Sequence, residues 1–556
     1  MPTSPAALLR RLEATRLEYG PGGAATKLAL LQRLARTRLA NARQVLRLHE
    51  HLCFLRAYPD GREVLAQVER MLAGFARRRD LRRHRDELAD SGVAGCDIRY
   101  RFFWPTARWL AARWPEQLAI DWDEVDDPEK LAAALPLLVT PPEATWLRTR
   151  KPAPRAALDR LRGHITDGAF YVRRAEAMPG DDFTREAFFD GLEAPFVLRP
   201  APGTPSRTHA RYERPPVVFR SQAPPRGRPD LRTELARPPR SVRAVSATAG
   251  QRLIDLAQEA MVTRARDLDA FAYGDPRDVR VVDDGDGLRW ALIGTTPERR
   301  PVLRATYGQL ALRNGVPIAY AESDMLFGCA DLSFNVFESF RGGEAAFVFA
   351  RLLAMLRQLF GAQSFTFEPY QLGRENDEGL ASGAWWFYYK LGFRPRNGAI
   401  RALAGTELAR MRRNRAYRSS RKTLARLAED YLYFEPGGHR AAFWPRLAEL
   451  GARLAPSLAA AAGADREVAV QACMREAAKL LGVSSLRRIG AGARVAWERW
   501  APIVASLPGL EGWSADERSA LARIVFAKGG RRDSDYLALF DAHPKLGAAL
   551  RRMTGA

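Results

Sequence analysis

A chain of 556 residues is longer than one hydrophobic core usually serves, so at about 150 residues per domain roughly three domains are expected. Hydrophobic content of 47% and charged content of 27% are those of a globular protein, whereas a net charge of +23 directs long-range attraction toward nucleic acid, anionic lipid or acidic carrier proteins. Cys53, Cys96, Cys329 and Cys473 stand far apart, with no Cys-x-x-Cys and no paired His beside them, which argues against a zinc ribbon and a disulfide framework.

The first twenty residues carry scattered Arg and Glu and no continuous apolar core, and no run reaches the length of a membrane span. A cytoplasmic protein without a metal is therefore expected. Residues 1–194 are predicted mainly helical, with Leu28, Leu31, Leu34 and Leu39, then Val45, Leu48, Leu52 and Leu55, on amphipathic faces. The basic cluster from Arg77 to Arg85 is interleaved with Asp80 and reads as a solvated helix face, with a phosphate-binding patch as the alternative. His49 and His51 are two residues apart, unlike the four-residue step of a metal pair on a helix.

From Arg99 to Trp114 aromatic residues alternate with Arg, a composition that suits base stacking or core packing. Core packing is preferred, because no RNA-binding motif accompanies it. Residues 195–245 turn to Pro and Arg and predict a linker or extended arm, within which Val217-Val218-Phe219 is expected to pair as an edge strand. Gln251 to Leu268 is predicted as a helix. Asp283 to Gly287 predicts a hairpin turn, since the twelfth position of a calcium loop would be Gly294 rather than Glu.

Residues 246–400 form the predicted central domain. Asn314-Gly315 is a hairpin turn pair, and Ala330, Leu332, Phe334 and Val336 alternate with polar residues as in a half-buried strand. The alternation breaks at Val336-Phe337, and a turn from Glu338 to Glu344 leads into a helix whose apolar residues run from Ala345 to Phe360, stopped by Gly361. In that turn Gly342 and Gly343 let the backbone approach a ligand, the helix start favours an anion, and Arg341 adds a forked contact. A strand at Phe365 to Phe367, an irregular loop from Pro369 to Gly383 and an aromatic helix from Ala384 follow.

This order, ending in Tyr388-x-Lys390-Leu391-Gly392-Phe393, resembles the GNAT superfamily of acyl-CoA-dependent N-acyltransferases over residues 250–400. The resemblance implies a mixed sheet flanked by helices, an acyl-CoA or acetyl-CoA donor whose pyrophosphate is held by Arg341, Gly342, Gly343 and Ala346, and Tyr388 as the acid that protonates the departing thiolate. Glu344 stands where the family's turn has its middle Gly, so an acyl or aminoacyl group on another carrier is the alternative donor. Glu322 or Glu338, the carboxylates nearest the strands bordering the cleft, is expected to serve as base, and Glu375 and Asn376 to line the acceptor side.

Residues 401–556 return to helices. Their densest basic run, Arg410, Arg412, Arg413, Arg415, Arg418, Arg421 and Lys422, is the best candidate contact for an acidic carrier protein or nucleic acid. The sequence thus predicts an α+β protein, with a GNAT-like sheet in the centre and mainly helical N-terminal and C-terminal regions. Its expected activity is acyl transfer from a thioester to an amine acceptor. An aminoacyl-tRNA-dependent transferase of related fold and a non-catalytic nucleic-acid-binding protein are the alternatives.

Overall fold

The structure, a computed structural model, describes residues 4–212, 216–225, 227–341, 344–437 and 447–554. It divides into two compact units, one built from Met1–Pro224, Arg252–Tyr273 and Leu312–Ile318, the other from Pro225–Gln251, Gly274–Ala311 and Ala319–Ala556. The Pro/Arg-rich segment up to Pro224 therefore belongs with the N-terminal helices, and the C-terminal helices belong with the sheet. Among the described residues no helix is long and apolar enough to cross a membrane.

The first unit begins with helices Pro5–Thr15, Pro21–Arg36, Ala42–Ala57 and Arg62–Ala73. Ser4 and Asn41 start two of them by accepting the N–H of Ala7 and Gln44, donors that a helix leaves unpaired in its first turn. Leu31, Leu34, Leu39, Val45, Leu48, Leu52 and Leu55 are buried, as their spacing predicts, whereas Leu28 is half-buried. Three short strands follow, β1 (Ile98–Tyr100), β2 (Leu118–Ile120) and β3 (Phe196–Leu198), with β3 in the middle and antiparallel to both neighbours. Trp104, Tyr171, Phe189 and Phe196 join one core around them. The Arg residues interleaved with Trp lie over ring faces and pair with carboxylates: Arg108 over Trp104 with Glu176 and Asp182, and Arg113 over Trp109 with Asp255. This stretch packs the core.

The Pro/Arg-rich segment is seated on the helices. Arg56, 3% exposed, donates to the carbonyls of Thr208 at 2.7 Å and Arg207 at 3.2 Å, and His49 Nε2 lies 2.9 Å from Thr208 Oγ1. Val217-Val218-Phe219 forms no strand. The Asn314 side chain takes the place of a strand partner, accepting from Val218 N at 3.0 Å and donating to Val218 O at 3.2 Å.

Apart from its Leu312–Ile318 tip, the large sheet lies in the second unit: β4 (Ser241–Ala244), β5 (Gly274–Gly285), β6 (Leu288–Thr295), β7 (Ala305–Arg313), β8 (Val316–Leu326), β9 (Cys329–Val336), β10 (Ser364–Phe367), β11 (Arg394–Pro395) and β12 (Leu432–Phe434), in the order β11-β12-β10-β9-β8-β7-β6-β5-β4. Asn314 and Gly315, at φ 50° and 81°, turn the β7–β8 hairpin, and Asp286 and Gly287, at 51° and 78°, turn β5 into β6. β9 and β10 are parallel, so a crossover must join them; the helix Ala345–Phe360, ended by Gly361, supplies it. The fold is α+β, a mixed sheet flanked by helices with mainly helical terminal regions.

The helix expected from Gln251 to Leu268 runs from Ala247 to Val262. The loop expected over residues 369–383 contains two short helices, Pro369–Leu372 and Asp377–Ser382; Asn376 caps the second by accepting from Gly379 N at 3.0 Å. The aromatic helix is Ala384–Leu391.

Buried cations stitch this unit together. Arg300 donates to the carbonyls of Thr295, Lys528, Gly530 and Arg531, and Lys528 reaches Asp533 at 3.0 Å and Arg304 O at 2.6 Å, fastening the C-terminal helices to the sheet. Arg351, on the crossover helix and 1% exposed, holds Asp284 through Nε at 2.6 Å and Nη2 at 2.7 Å and the carbonyls of Glu234 and Arg237. Replacing it removes the charge opposite a buried carboxylate. Arg351→Met is expected to cost about 3–5 kcal/mol, read from the urea midpoint, and Arg351→Met with Asp284→Leu to recover a large part of it.

Candidate functional site

The site follows from a mismatch in strand length. β9 pairs with β10 only through Cys329–Ser364, Ala330–Phe365 and Asp331–Thr366, although β9 continues to Val336 and stays paired with β8 up to Val336–Ala319. Past Asp331 the β9–β10 pairs end, while β12 on the other edge of β10 stays paired as far as Phe367–Leu432. A notch opens where a ladder would otherwise continue, so the β9 edge lacks β10 as its hydrogen-bonding partner there.

One wall of the notch is aromatic. Alternation along the strands turns Phe334, Phe365 and Phe367 to the face covered by the crossover helix, where Phe349 meets Phe334 and Phe367. Tyr388 stacks on Phe367 with centroids 3.6 Å apart and donates its hydroxyl to Phe334 O at 3.3 Å, beyond the last β9–β10 pair. It is 4% exposed, and burial, then Tyr320, pushes its phenol far above the usual range.

The opposite face is polar. Asp331, Ser333 and Asn335 point there, opposite Asp324, Glu322 and Tyr320 of β8. Glu322 is half-buried directly across from Ser333, whose Oγ accepts from Glu322 N at 3.3 Å. Tyr388 and Glu322 therefore flank the upper part of β9 from opposite sides. Glu338 is exposed in the single 3-10 turn Glu338–Phe340 that follows β9.

Arg341 is engaged: Nε donates to Val336 O at 3.0 Å, and Nη2 to Asn335 Oδ1 at 3.2 Å and Glu378 at 3.0 Å. An incoming anion would exchange one carboxylate for another partner. Gly342 and Gly343 lie outside the described residues. Glu344 is 2% exposed at the start of the crossover helix, and Ala346 is half-buried in the first helical turn.

Glu375 and Asn376 sit in the loop between the two short helices. Glu375 is exposed at φ 55°, and Asn376 spends its amide on Gly379 N and on Tyr370 O at 3.1 Å, which makes it a cap for the loop. The structure brings Tyr388 and Glu322 to the two sides of the notch and leaves Glu338, Glu375 and Asn376 in its surrounding turns.

A group at the notch apex is not evident from the sequence. Asp331, in the last β9–β10 pair, faces Asp324 across β8–β9; Asp324 is held by Arg304 at 2.6 Å and by Thr306. Burial, then Glu368 and Asp324, pushes the Asp331 carboxyl up to about 8. The polar alternation of Asp331, Ser333 and Asn335 was a signal for this face, but the pairing that sets one carboxylate beside the others is long-range.

A carboxyl with a raised folded pKa binds its proton more tightly when folded, so stability falls as pH rises from the unfolded value through about 8. Asp331→Asn, which is permanently neutral, is expected to gain melting temperature relative to the parent as pH rises from 4 to 9. Differential scanning calorimetry across that range checks the sign: a gap that shrinks toward high pH contradicts the buried, proton-holding carboxyl. No family model, curated protein or solved structure matches this chain, so its function rests on these residues alone.

Proposed function

We propose that this chain is an N-acyltransferase of the GNAT type, passing an acyl group from a coenzyme A thioester to an amine. The observation that carries the reading is the parting of β9 and β10 beside the Tyr388 hydroxyl. A strand edge freed of its neighbour can pair with the amide groups of an extended ligand, as in strand addition, and so seat a thioester arm in the notch. The crossover helix begins just past β9, where its unpaired N–H groups and dipole favour a phosphate.

In this reading the amine nitrogen attacks the thioester carbonyl carbon, forming C–N as C–S breaks. Glu322 takes the proton lost by nitrogen, directly or through water, and the phenol of Tyr388 gives its proton to the leaving thiolate; solvent returns the proton from Glu322 to the tyrosinate. Acid and base on opposite faces of the strand keep the two transfers apart. The reading places the reaction in the cytoplasm.

Isothermal titration of acetyl-CoA and a long-chain acyl-CoA is expected to show micromolar binding to the parent chain and none to Arg341→Glu, whose carboxylate would face the phosphate. No heat from either ligand with a folded parent chain sinks the coenzyme A reading. Tyr388→Phe is expected to keep the binding while release of free thiol, followed over a panel of primary amines, slows by about 100-fold. A variant as fast as the parent would remove Tyr388 from the chemistry.

A further inference from the structure

The basic run after the aromatic helix is built as a rigid surface. Glu407, 1% exposed on the helix Gly398–Arg413, accepts from Arg410 at 2.9 Å, Tyr417 at 3.0 Å and Ser419 at 2.6 Å, so one buried carboxylate fixes the turn carrying Arg415 and Arg418. Trp386 Nε1 donates to Ser419 Oγ at 3.1 Å, tying the same turn to the helix that bears Tyr388. The cations themselves point outward. All seven of Arg410, Arg412, Arg413, Arg415, Arg418, Arg421 and Lys422 are exposed.

Only two of the seven have a carboxylate partner among the described residues: Arg410 with Glu407, and Arg421 with Asp377. Arg418 reaches only the carbonyls of Arg415 and Tyr417. Lys390 and Arg228 add to the same field. Burial, then Arg228 and Arg418, lowers the Lys390 ammonium. Like charges assembled on a fixed turn repel, and an anionic ligand would relieve that repulsion.

We propose that this surface binds the phosphate backbone of a nucleic acid. Two features separate that partner from an acidic protein. Among the described residues from 384 to 437, no large apolar side chain is exposed, and on the adjoining loop whose Asp377 pairs with Arg421 the exposed ring is Tyr370, so a protein partner would find little of the apolar centre that stable protein interfaces bury. A phosphate backbone needs none, because binding is driven by release of its condensed counterions. The surface is also almost all Arg, whose forked guanidinium takes two phosphate oxygens at once. The inference does not depend on acyl transfer.

The test is fluorescence anisotropy of the full chain with labelled single-stranded RNA and a duplex of the same sequence, over a salt series. The parent is expected to bind with a steep salt dependence. Arg412→Gln, Arg413→Gln, Arg415→Gln and Arg418→Gln together should weaken binding at least tenfold and lower the slope of log affinity against log salt by about 3. The same four positions changed to Lys should keep the slope, and Arg82→Gln with Arg83→Gln, in the N-terminal cluster, should change nothing. An unchanged slope in the fourfold Gln variant, or an equal loss in the N-terminal control, overturns the assignment. So does polyaspartate that displaces RNA at matched charge, an outcome that would give the surface to an acidic protein instead.

Discussion

The second unit depends on β9 outrunning its parallel neighbour. β10 has four residues, and Pro369, two positions past its end, lacks the N–H that a longer ladder would need. β9 continues because β8 supports its other edge as far as Val336. The parting is therefore set by strand length and a proline rather than by a ligand, and the aromatic helix fills one side of it. Tyr388 stacked on Phe367 serves two purposes at once. The ring stacks on the last residue of β10, and the hydroxyl donates to a β9 carbonyl beyond the last β9–β10 pair.

Arginine has three different jobs in this chain, and composition does not distinguish them. Arg56, Arg300 and Arg351 are buried and bind backbone carbonyls, where several donors on one planar group can end several chain segments together. Arg108 and Arg113 lie over tryptophans and pair with carboxylates at the edge of a core. Arg412, Arg413 and Arg415 are exposed and make no ion pair among the described residues. A net charge of +23 includes all three groups, so only the last bears directly on partners.

What the sequence revealed was local. Asn314-Gly315, the helix from Ala345 to Phe360 with its Gly361 stop, and the alternation along β9 depend on neighbours within one turn or one strand, and the structure has them where their patterns put them. What it hid was long-range. Glu378 meets Arg341 across 37 residues, and Asn314 serves Val218 across 96. No periodicity carries such pairings. Val217-Val218-Phe219 had the β-branched character of a strand, yet a single amide side chain satisfies its central backbone groups. The notch was hidden for the same reason, since the lengths of β9 and β10 are visible in the sequence but their register is not.

Two opposite fields then coexist in one unit. Glu322, Asp324 and Asp331 gather on the polar face of the sheet, where burial, then Glu368 and Asp324, pushes the Asp331 carboxyl up, while the turn after the aromatic helix holds cations with few carboxylates near them among the described residues. At physiological salt, screening limits exposed charges to about 8 Å. Each field therefore acts mainly on what touches it. The carboxylates face the strand edge, and the arginines face solvent, so the basic surface can attract a polyanion without neutralising the groups that hold protons beside the notch. A buried Glu407 maintains this separation: it anchors the basic turn from beneath while Arg412, Arg413, Arg415 and Arg418 have no carboxylate partner among the described residues.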